Sequence, residues 1–185
     1  MVARKSRLIL TALAAACALL VGVSNAAAEG VPGAQKLEGA WIAKVPGTEA
    51  QWSYVISSDP SGRRAIGHGS VEVGFSVDAI AGPIDRGSPL LITYEMTGPE
   101  RGVFNSIWYD IRDLASPSAY TAEVVLIGVS NGTFVSLAPN KNLVEHNFEF
   151  YLPSQDADGD GLPDPGESPV YALQVTSIDT RLPSP

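Results

Sequence analysis

Apolar and polar side chains alternate along much of this 185-residue chain, and that alternation restricts its fold more than any other feature. The clearest examples are residues 52–57, 70–77 and 144–150, where aromatic or β-branched residues occupy every second position. A period of two is typical of a strand with one face buried. The 14 prolines and 18 glycines are spread between such runs, which favours short strands and excludes long helices.

Further runs of this kind predict strands at residues 37–45, 90–97, 104–112, 120–129, 133–137 and 170–179. Residues 59–62, Asp-Pro-Ser-Gly, have the preferences of a type I turn. Asn131-Gly132 predicts a hairpin turn, because both residues tolerate positive φ. We therefore expect one all-β domain over residues 37–182, an antiparallel β-barrel or β-sandwich of about nine or ten strands.

Residues 1–28 have the organisation of a bacterial secretory signal peptide, with Cys17 inside it. Basic residues are followed by an apolar run over residues 8–23 and by three small residues, Ala26–Ala28, one of which would precede the cleavage site. The alternative is a membrane anchor, but the run is short for a bilayer span. We expect a secreted or periplasmic protein with a flexible leader at residues 29–36 and no membrane span after cleavage.

Composition excludes several classes of protein. The chain has 12 basic and 20 acidic residues and a net charge of −8, which argues against a nucleic-acid partner. Its content of 45% hydrophobic and 17% charged residues is that of a folded chain. Cys17 is the single cysteine, so the domain has neither a disulfide framework nor a cysteine-based zinc site.

Residues 156–167, DADGDGLPDPGE, have the spacing of a twelve-residue calcium loop. Gly161 occupies the sixth position, where such a loop turns sharply. Calcium prefers six to eight oxygen ligands, and alternate carboxylates in a tight loop converge on one point. The predicted ligands of Ca²⁺ are Asp156, Asp158, Asp160, the backbone carbonyl of Leu162, Asp164 and Glu167. The alternative interpretation is a solvated acidic linker.

This loop resembles EF-hand loops and, more closely, the Asp-rich loops of thrombospondin type 3 repeats. The resemblance covers only residues 156–167. Pro153 and Pro169 flank the loop, and Pro163 and Pro165 lie within it, so helices on either side are unfavourable. We expect one structural calcium loop between two strands, with the modest affinity of extracellular modules.

Gly39-Ala40-Trp41 resembles the Gly-x-Trp of lipocalin-like barrels, in which the tryptophan plugs one end. The Thr-Asp-Tyr motif of that family, and a late arginine that packs on the tryptophan, are not evident at matching positions. The resemblance implies a barrel of about eight strands that encloses one small apolar ligand. The alternative is a core tryptophan on an ordinary first strand.

The function we expect is that of a secreted, calcium-binding β-domain that acts as a binding or interaction module without catalysis. A lipocalin-like carrier of a small apolar ligand is the first alternative, and a secreted hydrolase is the second. No strand-to-helix nucleophile elbow is predicted, and no catalytic residue can be assigned. His146 lies on the apolar face of its strand, which favours a buried or barrel-lining histidine.

Overall fold

The structure is a computed structural model that describes residues 33–73, 80, 82, 84, 86–113 and 122–183. The predicted signal peptide and the start of the predicted leader lie outside the described residues. The described strands are β1 Gly39–Lys44, β2 Gln51–Ser58, β3 Arg64–Val73, β4 Arg86–Gly87, β5 Leu90–Gly98, β6 Arg101–Asp113, β7 Ala122–Ala138, β8 Lys141–Tyr151 and β9 Tyr171–Arg181. Two single-turn 3-10 helices span Ala34–Leu37 and Pro153–Gln155.

Eight of these strands form a closed antiparallel barrel. Every barrel strand pairs with the barrel strand before it in the chain, and β9 pairs with β1 to close the ring. Within the described part of the chain, the two-residue strand β4 pairs only with the end of β6, and it stands outside the ring. The predicted all-β class is thus confirmed, and of the two predicted architectures the chain adopts the barrel.

The barrel interior is filled with side chains from alternate strand positions. In β8 the buried residues are every second one, which matches the alternation in the sequence. Aromatic residues dominate this core because they bury the largest area per side chain. They are Trp41, Trp52, Tyr54, Tyr94, Phe104, Trp108, Phe134, Phe148 and Phe150.

The predicted hairpin turn at Asn131-Gly132 is wrong, because β7 continues through both residues. Asn131 pairs with Asn105 on one side and with Asn147 on the other. A Cβ atom on Gly132 would lie 1.8 Å from the carbonyl oxygen of Glu145. The glycine is therefore explained by the close approach of a neighbouring strand, not by a turn.

Two other predicted local features have clear outcomes. The turn at residues 59–62 is confirmed, since the amide of Gly62 donates to the carbonyl of Asp59 at 3.0 Å. The end of the predicted flexible leader differs from expectation: residues 34–37 form a 3-10 helix with Ala34 and Leu37 fully buried. Among the described residues, no helix has the length and apolar character needed to cross a membrane.

Candidate functional site

The Asp-rich segment connects β8 to β9, as the sequence predicted. The connection is held closed at its base, where the amide of Val170 donates to the carbonyl of Phe150 at 2.8 Å. The side-chain amide of Gln155 donates to Glu167 Oε2 at 2.9 Å and to the carbonyl of Ser168 at 2.8 Å. Hydrogen bonds within the protein therefore join the two ends of the loop, independently of an ion.

Three carboxylates converge inside this loop. Asp156, Asp158 and Asp164 each offer an oxygen, and these atoms all lie within 4.8 Å of one another. Backbone amides orient them, because Gly161 N donates to Asp156 Oδ2 at 3.0 Å and Ala157 N donates to Asp164 Oδ2 at 3.0 Å. One oxygen of each of these two carboxylates is therefore fixed by the loop, which leaves the other oxygen for a further partner.

Positive φ angles make this convergence possible. Gly159 has a φ of +74° and Gly161 a φ of +89°, so the chain turns sharply at two points. The sequence predicted the turn at Gly161. It did not single out Gly159, although its place between Asp158 and Asp160 was a usable signal.

One oxygen of Asp156 is left without a partner. Its Oδ1 atom is buried and accepts no hydrogen bond in the described part of the chain. Burial, reinforced by the nearby charges of Asp160 and Asp158, raises the pKa of Asp156 despite amide donors from Gly161 and Gly159. A buried carboxylate oxygen without a partner is unfavourable, and a hard cation would satisfy it.

The other predicted ligands are not part of the converging group. Asp160 Oδ1 accepts the amide of Leu162 at 2.8 Å, and Glu167 is held by Gln155. The structure thus brings together three of the five predicted carboxylates. The ligand roles of Asp160, Glu167 and the carbonyl of Leu162 stay predictions. The donor set is entirely oxygen, which fits calcium better than a transition metal.

The loop packs against the outer wall of the barrel. Leu162 contacts an apolar cluster on that wall, whose buried members are Ile107, Ile127 and Tyr151. The hydroxyl of Tyr109 on β6 donates to the carbonyl of Gly161 at 3.0 Å. The position of the Asp-rich loop is therefore determined by β6, β7 and β8, although its converging carboxylates are all local in sequence.

A second polar group lies inside the barrel and was not predicted from the sequence. Asp179 on β9 has an exposed fraction of 1%, and both of its oxygens accept hydrogen bonds. Ser177 Oγ lies 2.5 Å from Asp179 Oδ1, and the hydroxyl of Tyr54 donates to Oδ2. Nε2 of His146 lies 3.0 Å from Ser177 Oγ. We call Tyr54, His146, Ser177 and Asp179 the interior network.

Burial determines the protonation of the interior network. It raises the pKa of Asp179 to about 6 even though Ser177 and Tyr54 donate to the carboxylate, and it lowers the pKa of His146 to about 3. At neutral pH the carboxylate is therefore mostly ionised and the imidazole is neutral. His146 is buried as its strand pattern predicted, with an exposed fraction of 7%.

The order of groups in the interior network differs from that of a nucleophilic triad. In such a triad the histidine stands between the serine and the carboxylate. Here Ser177 stands between His146 and Asp179, so its proton is donated to the carboxylate. The imidazole is therefore not placed to activate this hydroxyl.

Nδ1 of His146 has no hydrogen-bond partner among the residues that the structure describes. Its imidazole lies among aromatic rings, with centroids 5.0 Å from Trp52, 5.0 Å from Phe104 and 5.1 Å from Phe148. The remaining cavity at this point has a volume of about 20 Å³, room for about one water molecule. Leu37 of the first 3-10 helix also lines this cavity.

The end of the barrel beside that helix is closed by Trp41 and Arg181. The indole of Trp41 donates to the carbonyl of Leu37 at 2.7 Å. The guanidinium of Arg181, on β9, lies 5.2 Å from the Trp41 ring centre and donates to the carbonyls of Lys36 and Glu38. Arg181 was not predicted from the sequence to pack on Trp41, although it is the last arginine of the chain.

No protein-family model and no curated protein matches this chain. Among solved structures, the one described as EF1p2_mFAP2b bound to DFHBI aligns with a TM-score of 0.43 and 16% sequence identity. That alignment covers 81% of this chain and 97% of the other chain. A likeness at this level carries no functional argument for this chain.

Proposed function

We propose that this protein is an exported β-barrel domain that binds one calcium ion in the loop of residues 156–167. The convergence of Asp156, Asp158 and Asp164, together with the unpartnered buried oxygen of Asp156, is the observation that supports this function. The ion would satisfy that oxygen and offset the repulsion between the carboxylates. Its role is structural, since it would hold the β8–β9 connection against the barrel wall.

The affinity and selectivity follow from the ligands. An exposed loop that contains prolines and supplies only oxygen ligands is similar to the sites of extracellular modules, whose dissociation constants are about 10⁻⁴ to 10⁻³ M. Magnesium requires a tighter octahedral arrangement and should bind more weakly. The group includes an exposed side chain, Asp158, so the ion would enter directly from solvent.

Calcium titration of chelator-treated protein tests this function. We expect one binding event in calorimetry and a higher melting temperature with calcium than with magnesium. Asp158→Asn retains the shape of the side chain but removes its charge. It should raise the dissociation constant for calcium at least tenfold and reduce the rise in melting temperature. Glu49→Ala, at an exposed carboxylate outside the loop, is the matched control. An unchanged calcium response in Asp158→Asn would refute the ligand assignment.

Export is tested separately at the N-terminus. In a bacterial host the predicted signal at residues 1–28 should be removed, so that the exported chain begins just after Ala26, Ala27 or Ala28. N-terminal sequencing of protein recovered from the periplasm or the medium would identify that residue. An intact N-terminus on membrane-bound protein would support the anchor instead.

A lipocalin-like relationship is supported by the closed end of the barrel. Gly39-Ala40-Trp41 lies at the start of β1, and Arg181 packs on Trp41 as the late arginine of that family would. The eight-stranded barrel with neighbouring strands joined in chain order is consistent with it. A Thr-Asp-Tyr motif is not evident in the sequence.

Binding of a small molecule inside the barrel is the second candidate function. The unpartnered Nδ1 of His146, set among aromatic rings, favours it. The cavity of about 20 Å³ holds no more than a water-sized molecule, so a larger ligand must displace side chains. Leu37, on the short helix at the barrel end, is the side chain placed to move.

A further inference from the structure

His146 presents a bare hydrogen-bond acceptor inside the barrel. Ser177 has one hydroxyl proton, and its 2.5 Å contact with the ionised Asp179 uses that proton. Ser177 Oγ must then accept from Nε2 of His146, which lies 3.0 Å away. The neutral imidazole therefore carries its proton on Nε2, and Nδ1 is left with an unshared lone pair.

The surroundings of this acceptor restrict what it can bind. His146 is more than nine-tenths buried, and the rings of Trp52, Phe104 and Phe148 surround its imidazole. A lone pair in such a site needs a donor, because an unpartnered buried polar atom is unfavourable. The buried carboxylate of Asp179 also lines the cavity, and it would repel an anion.

We propose that the barrel interior binds a small, flat aromatic molecule with one neutral O–H or N–H group, which donates a hydrogen bond to Nδ1 of His146. This inference rests on the second candidate function and names its ligand class. The cavity of about 20 Å³ has room for one water molecule, which the donor group of the ligand would replace. Carboxylates and other anionic ligands are excluded by Asp179.

A pair of probes of equal size isolates the hydrogen bond. Phenol and toluene have the same number of heavy atoms and similar shape, but only phenol has a donor. We expect phenol to bind at least about tenfold more tightly than toluene in calorimetry, and benzoate not to bind. Leu37→Ala, which enlarges the cavity, should strengthen the binding of both neutral probes and preserve their ratio.

Selective ¹⁵N labelling of histidine gives a direct measurement, because the chain has two histidines, His68 and His146. Saturation with phenol should shift the Nδ1 resonance of His146 as it accepts a hydrogen bond, and leave His68, exposed on the outer wall, unchanged. In His146→Phe the preference for phenol over toluene should be lost, whereas His68→Phe should retain it. The labelled wild-type protein gives the answer even when His146→Phe does not fold.

The possible failures can be told apart. If toluene binds as tightly as phenol, or if Nδ1 does not respond at saturation, the proposed ligand class is wrong and the second candidate function survives. If no neutral probe binds to wild type or to Leu37→Ala, the proposed ligand class and the second candidate function are both wrong. Binding of benzoate in place of phenol would also overturn the ligand class. None of these results depends on the calcium loop.

Discussion

The guanidinium of Arg181 lies 5.2 Å from the ring centre of Trp41. These residues belong to the last and first strands of the barrel, and they are paired directly in the register of β1 and β9. Arg181 also donates to the carbonyls of Lys36, in the 3-10 helix Ala34–Leu37, and of Glu38, which follows that helix. One side chain therefore connects the closing seam of the barrel to the helix that covers its end.

Loss of Arg181 should destabilise the barrel. Arg181→Ala removes a cation–π contact and the donors to two carbonyls, so we expect the free energy of unfolding to fall by about 2 kcal/mol. Arg181→Lys should retain only part of this stability, because an ammonium group lacks the planar, multiple N–H donors of a guanidinium. Urea denaturation measures both. Arg64→Ala, at an exposed position on β3, should change stability by less than about 0.5 kcal/mol.

The glycines of β7 should not tolerate alanine. A Cβ atom on Gly128 would lie 2.1 Å from Cε2 of Trp108, and one on Gly132 would lie 1.8 Å from a backbone oxygen. Neither contact can be relieved without moving a strand or a buried ring, so each substitution should cost about 3 kcal/mol or more. Thermal denaturation checks this. Gly87→Ala, with its nearest neighbour at 3.9 Å, is the control and should be nearly neutral.

Replacement of Asp179 should change how stability depends on pH. Burial raises the pKa of Asp179 from 3.8 to about 6, so the folded state binds this proton more tightly than the unfolded state does. The contribution of this group to stability is therefore largest below pH 4 and is lost as the pH rises towards 6, by up to about 3 kcal/mol.

Comparison with Asp179→Asn isolates that contribution. Burial lowers the pKa of His146 to about 3, and this group acts in the opposite sense. Its contribution to the stability of the folded protein is lost as the pH falls below 6.5. This term is common to both proteins and cancels in their difference. Wild type should therefore gain stability relative to Asp179→Asn between pH 7 and pH 4 in urea denaturation. A difference that does not vary with pH would contradict the raised pKa.

The outer wall should contribute to calcium binding. Tyr109→Phe removes the hydroxyl that donates to the carbonyl of Gly161, without removing a ligand. Loss of this hydrogen bond should reduce the free energy of calcium binding by about 1 kcal/mol, which is about a fivefold weaker affinity in calorimetry. Tyr171→Phe, at a partly exposed tyrosine on β9, is the control. Equal affinities in wild type and Tyr109→Phe would mean that the loop binds the ion independently of the barrel.

Local patterns were sufficient to predict most strands. The alternation at residues 52–57 and 144–150 lies within β2 and β8, and the two strands that flank the Asp-rich loop are β8 and β9. The spacing of Asp156, Asp158 and Asp164 predicted carboxylates that the structure brings together. These features depend on neighbours within about twelve residues, which is the range over which sequence patterns are informative.

Asn131-Gly132 shows where the local pattern misleads. The dipeptide has the preferences of a hairpin turn, but β7 pairs on both sides and continues through it. Pairing with β6 and β8 satisfies the backbone of both residues, and the missing side chain of Gly132 makes room for the neighbouring strand. Tertiary contacts therefore outweighed the turn preference.

The sequence by itself determined the all-β class, the positions of most strands and the Asp-rich loop, because each depends on residues close together in the chain. Only the tertiary structure decided that the sheet closes as a barrel, that Arg181 covers Trp41 and that Tyr54 meets Asp179. Those contacts join residues from opposite ends of the chain. Their geometry depends on strand register and ring closure, which no short-range pattern specifies.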